Sequence, residues 1–174
     1  MNAAVKLNEM IRVELDEHEM SSCKYKGEET VRICRGQGAK PRLAEGTEPI
    51  KREQGNEMGF RGELAFAKLY SLPPTDVTVH ADDGIDYTLP NGKTVDVKLS
   101  TYRNGYLIFD NFNKFKADIA VLVYGAYNEN YIDVAGWISK QKFMETCREH
   151  DFGYGLRKIV GRDCLSPMEE LDKT

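Results

Sequence analysis

The chain has 174 residues, of which 41% are apolar and 30% charged, and its formal net charge is −4. This length is enough for one domain with a sizeable core and is short for two. The composition is typical of a soluble globular protein, and no apolar run reaches the roughly 18 residues that a membrane-spanning helix needs. The acidic N-terminus is unlike a signal peptide, so we expect a cytoplasmic protein. The negative charge argues weakly against coating of nucleic acid through bulk charge, but it does not exclude a nuclease, whose metal site needs carboxylates.

The cysteines follow no pattern typical of a metal or redox site. None lies in a C-x-x-C pair, so we expect free thiols in a reducing compartment. The alternative is a zinc or iron–sulfur site drawn from both ends of the chain. The four residues are Cys23, Cys34, Cys147 and Cys164.

The N-terminal third combines short elements with a charged stretch. Met10–Leu15 predicts a short strand, and residues 16–34 predict a helix that Gly27 weakens. Residues 35–56 are rich in glycine, proline and charge, which predicts a loop. This loop could close over a polyanion or serve only as a solvated linker. Its basic residues are Lys40, Arg42, Lys51 and Arg52.

A helix is predicted over residues 57–71, with Asn56 as its N-cap and Pro73 beyond its end. The apolar positions expected to face a core are Phe60, Leu64 and Ala67. Small residues along the same helix would let it lie close to a sheet; these are Gly59, Gly62 and Ala65.

The rest of the chain predicts mainly strands, from its β-branched and aromatic content. The predicted strands span residues 77–80, 85–89, 94–100, 106–109, 119–124 and 131–137. A helix over 140–149 capped by Ser139, a strand within 156–165 and a frayed acidic tail from Glu169 complete the order. Helices alternating with runs of strands indicate an α/β or α+β layered domain.

The segment Asp82–Ser100 (DDGIDYTLPNGKTVDVKLS) carries the chemistry, and its turn admits two geometries. A two-residue loop at Asn91-Gly92 would place Asp86 opposite Val97 and send its carboxylate to the other face from Asp96. The first acidic residue of the site would then have to be Asp83.

A three-residue loop at Pro90-Asn91-Gly92 explains the turn residues better. Proline suits the first central position because its φ is preset, and glycine suits the left-handed closing position because it has no Cβ. Asp86 then faces Asp96, and Lys98 lies on the same face two residues on. Two opposed carboxylates repel each other, and a divalent cation would offset that repulsion. The alternative is an ordinary hairpin with a polar outer face.

Asp86 followed by Asp96-Val97-Lys98 resembles the catalytic hairpin of the PD-(D/E)XK, or restriction-endonuclease-like, nuclease superfamily. The resemblance covers about residues 57–137 and implies a mixed β-sheet flanked by helices. It assigns residues 57–174 to a nuclease-like domain and residues 1–56 to an N-terminal helical extension with a charged loop. Gly59–Trp137 is also similar to small bacteriophage proteins, through its G-E-x-A helix and its Gly136-Trp137-Ile138 segment.

The resemblance also implies cofactor and residue roles. Glu63, in the helix before the hairpin, matches the position from which the family adds an acidic ligand, although it could equally be a solvated surface carboxylate. Glu63, Asp86 and Asp96 would then hold Mg²⁺, with Mn²⁺ able to substitute, and Lys98 would assist attack on DNA in preference to RNA. Family members often act as homodimers, so a homodimer is a further expectation. If the protein is viral, its expected location is the cytoplasm of the host cell.

Several other residues are candidates for contacts with nucleic acid. Residues 93–116 hold more basic than acidic side chains, around the suspected site. The candidates are Ser100, Tyr102, Arg103, Lys114 and Lys116. Ser100 could equally be a strand-end hydroxyl. Asp82 and Asp83 could lie behind the metal ligands, and His80 is the histidine closest to the site in sequence.

Two functions follow from these residues. The first is a metal-dependent phosphodiesterase, most simply an endonuclease. The second is a catalytically silent module of the same fold that binds DNA or a host protein.

Overall fold

A computed structural model describes residues 9–38, 49–77 and 83–173. In these ranges a mixed five-stranded sheet has the order β1-β6-β5-β3-β2, and a three-stranded sheet has the order β4-β8-β7. The first sheet is built from β1 (Ile11–Glu14), β2 (Tyr87–Thr88), β3 (Thr94–Ser100), β5 (Ile119–Tyr124) and β6 (Tyr131–Ser139). The second is built from β4 (Leu107–Phe109), β7 (Arg148–Asp151) and β8 (Leu156–Val160). The α/β class predicted from the sequence is therefore confirmed.

β3 and β5 run parallel in the centre of the large sheet, and its other pairings are antiparallel. Central strands that are buried on both faces read as continuous apolar runs, and β5 (IAVLVY) is buried at every position. One face of the sheet packs on the helix α2 (Pro49–Tyr70), and the other packs on the small sheet and the helix α3 (Lys140–Thr146). β3 lies between two apolar layers, which is what positions the candidate site.

The helix α2 lies close to the sheet because small residues line the side that faces it. A Cβ on Gly62 would lie 3.0 Å from Val123 Cγ2, and Ala65 is fully buried. The prediction of a closely packed helix is confirmed at these two positions but not at Gly59, where a Cβ would meet nothing within 4 Å. The core-facing prediction holds for Ala67, whereas the fully buried Phe66 was not predicted.

The N-terminal elements join this core. β1 pairs with β6 as predicted, and α1 (Glu17–Gly36) follows it, with Asp16 and Glu19 forming a reciprocal capping box. Gly27 is the closest approach of α1 to α2, because a Cβ there would lie 2.8 Å from the Glu53 carbonyl oxygen. The glycine that weakens the helix prediction is thus needed for helix packing.

The predicted loop over residues 35–56 is wrong at its C-terminal end. α2 begins at Pro49, a residue suited to the first turn of a helix, so Asn56 lies within the helix and is not its N-cap. Lys51 and Arg52 are therefore helical, while Lys40 and Arg42 lie outside the described residues.

The hairpin strand predicted over 85–89 is reduced to Tyr87–Thr88, and most of the strand predicted over 77–80 lies outside the described residues. The C-terminal predictions also need correction. The helix capped by Ser139 ends at Thr146, and residues 148–151 form β7.

The acidic tail is anchored by Trp137. Trp137 exchanges backbone hydrogen bonds with Ser166, its indole N–H donates to the Pro167 carbonyl at 3.1 Å, and Leu171 is 1% exposed. A frayed tail from Glu169 is therefore wrong, and Trp137 itself belongs to the core. No helix in the described ranges is both long and apolar enough to span a bilayer.

Candidate active site

The turn between β2 and β3 has the three-residue geometry. Thr88 pairs with Thr94, the Leu89 N–H donates to the Lys93 carbonyl at 2.8 Å, and the Gly92 N–H donates to the Leu89 carbonyl at 2.8 Å. Gly92 has a φ of 86°, in the left-handed region that glycine adopts without steric cost. The prediction of a three-residue turn is thus confirmed, whereas the strand pairing ends at Tyr87 and Val95, so the facing of Asp86 and Asp96 stays a prediction.

Asp86 lies one residue before β2, where the strand pairing ends. Its backbone N–H donates to the Val95 carbonyl at 2.8 Å, and its Oδ2 accepts the Val97 N–H at 2.7 Å. The carboxylate thereby occupies the place of a strand carbonyl. The Asp86 carboxylate therefore contacts β3 at the residue that directly follows Asp96.

Asp96 and Lys98 form an ion pair on the face of β3 opposite α2. Lys98 Nζ lies 2.8 Å from Asp96 Oδ1, and the two side chains are 36% and 2% exposed, respectively. A buried carboxylate is tolerated only with a compensating partner, and the ammonium provides one. The exposed part of Lys98 marks the side from which solvent reaches the pair.

The small sheet covers this pair. The Lys98 ammonium lies 5.6 Å from the centroid of the Phe109 ring on β4, and Phe109 stacks on Phe115 at 4.4 Å. Phe143 packs edge-on against both rings. Sequence reasoning missed Phe109 as a neighbour of Lys98, because nothing in the sequence indicates which β4 side chain faces β3.

Glu63 on α2 contacts Thr75 and Tyr87. The Glu63 carboxylate accepts a hydrogen bond from the Thr75 hydroxyl, and its backbone carbonyl accepts one from the Tyr87 hydroxyl at 3.0 Å. Both contacts lie on the side of the sheet that packs on α2. Burial, ahead of all other influences, raises the pKa of the Tyr87 hydroxyl well above its usual value.

Among the described residues, no three or more histidine, cysteine, aspartate or glutamate side chains are arranged to hold a metal ion. Glu63, Asp86 and Asp96 therefore do not form a three-carboxylate site in this structure, and the metal role of Glu63 stays a prediction. Mg²⁺ often takes only one or two protein carboxylates, so the metal roles of Asp86 and Asp96 stay predictions as well.

Asp83 is the alternative first acidic residue, and it is exposed. Its carboxylate accepts the Ile85 N–H at 3.3 Å, which makes it a local turn residue in this structure. Asp82 and His80 lie outside the described residues.

The candidate phosphate contacts divide into two groups. Lys114 and Lys116 are exposed, and a Cβ on Gly84 would lie 3.7 Å from the Lys114 carbonyl oxygen and from Lys116 Cδ. The two lysines therefore flank the segment that leads into Asp86. Their predicted contacts with phosphate would lie next to the candidate site.

Ser100, Tyr102 and Arg103 form a turn at the far end of β3. The Ser100 hydroxyl accepts the Tyr102 N–H at 3.2 Å and donates to the Tyr102 carbonyl, so it has the strand-end role given above as its alternative. Tyr102 is 78% exposed, and Arg103 is exposed as well. Their surface position leaves a role in nucleic-acid contact as a prediction.

The four cysteines are free in the structure, with Cys23 buried and Cys34 exposed. Burial raises the pKa of the Cys23 thiol to about 11, so this cysteine is an unreactive core residue at neutral pH.

Comparisons of the chain with protein-family models, with curated proteins and with solved structures found no match.

Proposed function

We propose that this protein is a Mg²⁺-dependent nuclease, acting as an endonuclease on DNA phosphodiester bonds. The observation that carries the proposal is that Asp86 and Lys98 make contacts at two successive residues of β3, Val97 and Asp96. Asp86 accepts the Val97 N–H at 2.7 Å, and Lys98 contacts Asp96 at 2.8 Å. The three-residue turn between β2 and β3 supports the proposal, because it is the turn for which the sequence predicts that Asp86 faces Asp96.

Acidic and basic residues of the site would have different roles. Asp86 and Asp96 would hold the cation, which when bound supplies an acidified water and neutralises phosphate charge. The Lys98 ammonium would turn from Asp96 towards the phosphate and stabilise negative charge that develops there. Lys114 and Lys116 would hold the flanking backbone through charge alone.

The test is cleavage of single-stranded, duplex and branched DNA in Mg²⁺ or Mn²⁺. We expect Asp96→Asn and Lys98→Met to lower the rate by about a hundredfold or more, since each removes a group aimed at the reacting phosphate. If wild type and Asp96→Asn are equally inactive on every substrate, the proposal fails.

Asp133→Asn is the matched control. Asp133 is also a buried strand carboxylate, with an 8% exposed side chain, and its partner Arg12 is 49% exposed at a distance of 2.8 Å. Asp133 lies on β6, away from the hairpin, so its substitution should leave cleavage intact. Equal loss in both asparagine variants would indicate that folding, and not chemistry, is being measured.

A second candidate is a binding module of the same fold without catalysis. The burial of the Asp96 side chain, which is 2% exposed, and the hydrogen bond that the Glu63 carboxylate accepts from Thr75 favour this candidate. It predicts DNA or protein binding that persists in Lys98→Met and needs no metal. A Mn²⁺-dependent rise in melting temperature that Asp96→Asn abolishes would argue against it.

A further inference from the structure

The hairpin between β7 and β8 presents exposed apolar side chains at its tip. Tyr154 is 65% exposed and Leu156 is 59% exposed. Single exposed apolar residues are ordinary, but here two lie within three positions on a projecting loop. The four loop residues Phe152, Gly153, Tyr154 and Gly155 join Asp151 to its partner Leu156.

The exposed Asp151 carboxylate fixes the conformation of the tip by accepting two backbone N–H groups of the loop. Asp151 Oδ1 accepts the Gly153 N–H at 2.7 Å and the Gly155 N–H at 3.1 Å. These bonds hold the pKa of Asp151 below its usual value, and the bond from the Gly153 N–H has the largest effect. Gly153 and Gly155 have φ angles of 99° and 104°, which other residues rarely adopt. A loop held in one conformation loses little entropy when it binds.

The aromatic residues of the hairpin form a row. The rings of His150 and Phe152 lie 4.4 Å apart at their centroids, and those of Phe152 and Tyr154 lie 6.0 Å apart with planes 19° from parallel. The guanidinium carbon of Arg157 lies 5.1 Å from the Tyr154 ring centroid. Tyr154 ends the row with a guanidinium over part of its ring and most of its surface exposed, which leaves room for a flat base next to a cation for the phosphate.

The row lies on the sheet that covers the candidate site. β8 pairs with β4 so that Lys158 is opposite Phe109, and Phe109 is the ring next to the Lys98 ammonium. Lys158 is two residues from Leu156, which is about 7 Å along a strand. A nucleic-acid strand held at the tip would thus lie close to Lys158, whose ammonium pairs with Glu149 on β7.

We propose that the tip of the β7–β8 hairpin is a stacking platform for an unpaired base of DNA. Tyr154 provides the ring, and Arg157, held at 2.9 Å by Asp110, provides the cation for the adjacent phosphate. The proposal rests on the proposed function in taking DNA as the ligand, but it concerns binding and requires no cleavage. It assigns single-stranded or branched DNA as the preferred substrate class.

The test is fluorescence anisotropy of a labelled oligothymidylate and of a fully paired duplex, in EDTA so that no cleavage occurs. We expect Tyr154→Ala to weaken single-strand binding about tenfold, in the range seen when one stacking ring is removed, and to affect duplex binding less. Tyr154→Phe keeps the ring and should bind as wild type does. Because Tyr154 is exposed, all variants should keep the wild-type melting temperature.

Tyr25→Ala is the matched control, since Tyr25 on α1 is 64% exposed and far from the hairpin in the fold. Equal affinities for Tyr154→Ala and wild type, or equal losses in Tyr154→Ala and Tyr25→Ala, would overturn the platform. A Tyr154-dependent affinity for phosphatidylglycerol vesicles, with DNA binding unchanged, would overturn it in favour of a membrane contact.

The two proposals fail separately. DNA cleavage by wild type, with single-strand binding that does not depend on Tyr154, removes the platform and leaves the nuclease. Tyr154-dependent binding by a wild type that cleaves nothing in Mg²⁺ or Mn²⁺ removes the nuclease and leaves the platform.

Discussion

Two buried carboxylates, one on α2 and one on β3, differ in the surroundings of their cationic partners. Glu57 and Arg61 pair along α2, and each side chain is 5% exposed. Asp96 and Lys98 pair along β3, where the acid is 2% exposed and the base 36%. The α2 pair is closed to solvent on both sides, whereas the β3 pair is open on the side of its cation.

This difference separates a structural ion pair from one suited to function. Arg61 also donates to the backbone carbonyls of Tyr127 and Glu129, at 3.0 and 3.2 Å, so it fixes the turn between β5 and β6. A cation held by three acceptors cannot leave its acid without a large loss. The Lys98 side chain is 36% exposed, so under the proposed function it would be able to exchange Asp96 for water or for a phosphate.

Removal of Arg61 should have the largest effect on stability. Arg61→Ala leaves Glu57 buried without its cation and leaves two loop carbonyls without their donor, so we expect a loss of about 3–5 kcal/mol. Urea denaturation measures it. The double variant Glu57→Gln/Arg61→Met removes both charges and should be less destabilised than Arg61→Ala; the reverse order would show that packing, not charge, dominates here.

Removal of Lys98 should have a smaller effect on stability and a larger one on function. Lys98→Ala leaves Asp96 beside a gap that water can enter, so we expect a loss of only about 1–2 kcal/mol. The same denaturation assay measures it. If Lys98→Ala is as destabilising as Arg61→Ala, the β3 pair is structural and its role in catalysis loses its basis.

The surroundings of the Asp96–Lys98 pair on β3 could be predicted from the sequence better than those of the Glu57–Arg61 pair on α2. The turn residues Pro90 and Gly92 have local conformational preferences, so they determine registry without knowledge of the rest of the fold. That is why the three-residue turn and the pairing of Thr88 with Thr94 could be predicted. The i, i+4 spacing of Glu57 and Arg61 was a visible signal, but the expected helix began at residue 57 and their burial depends on α1 and a distant turn.

The remaining differences have tertiary causes. β2 is shorter than predicted, and where the pairing stops the Asp86 side chain accepts the Val97 N–H. Glu63 matches a sequence position well, yet its carboxylate binds Thr75, a contact across 12 positions that no local pattern contains. The tail was expected to fray from its charge, but Leu171 is buried against the core around Trp137.

The turn itself offers the next test of the open pair. Gly92→Ala forces a side chain into a φ of 86° and should destabilise the protein by about 1 kcal/mol, without abolishing the fold. Thermal denaturation measures the change. If the registry is what brings Asp86 to Asp96, Gly92→Ala should also lower cleavage.

Gly59→Ala is the matched control for this substitution. Gly59 lies within α2, and a Cβ there would meet nothing within 4 Å. Alanine at such a helical position should stabilise by about 0.5–1 kcal/mol. Opposite signs for the two glycine variants would confirm that the left-handed conformation, and not the glycine as such, matters in the turn.

The smallest expected effect belongs to a third carboxylate, which is exposed. Asp118 accepts the backbone N–H and the hydroxyl of Thr94, both at 2.8 Å, and so joins the start of β3 to the start of β5. These two hydrogen bonds hold the pKa of Asp118 below its usual value, and the bond from the Thr94 backbone N–H has the larger effect. A carboxylate with a lowered folded-state pKa stabilises the protein above its unfolded pKa of about 3.9, and that contribution is lost as pH falls through the folded value.

Asp118→Asn should therefore be slightly less stable than wild type near neutral pH, and the difference should shrink as pH falls below about 4. Melting temperatures measured across that range test this. Thr94→Val, which removes only the hydroxyl donor, should show a smaller shift of the same sign. A difference that stays constant down to the acid limit would mean that the Asp118 charge contributes nothing. Asp118 would then contribute no more to stability than an ordinary surface carboxylate. Of the three carboxylates compared, only the buried Glu57 and Asp96 would have ion pairs that affect stability.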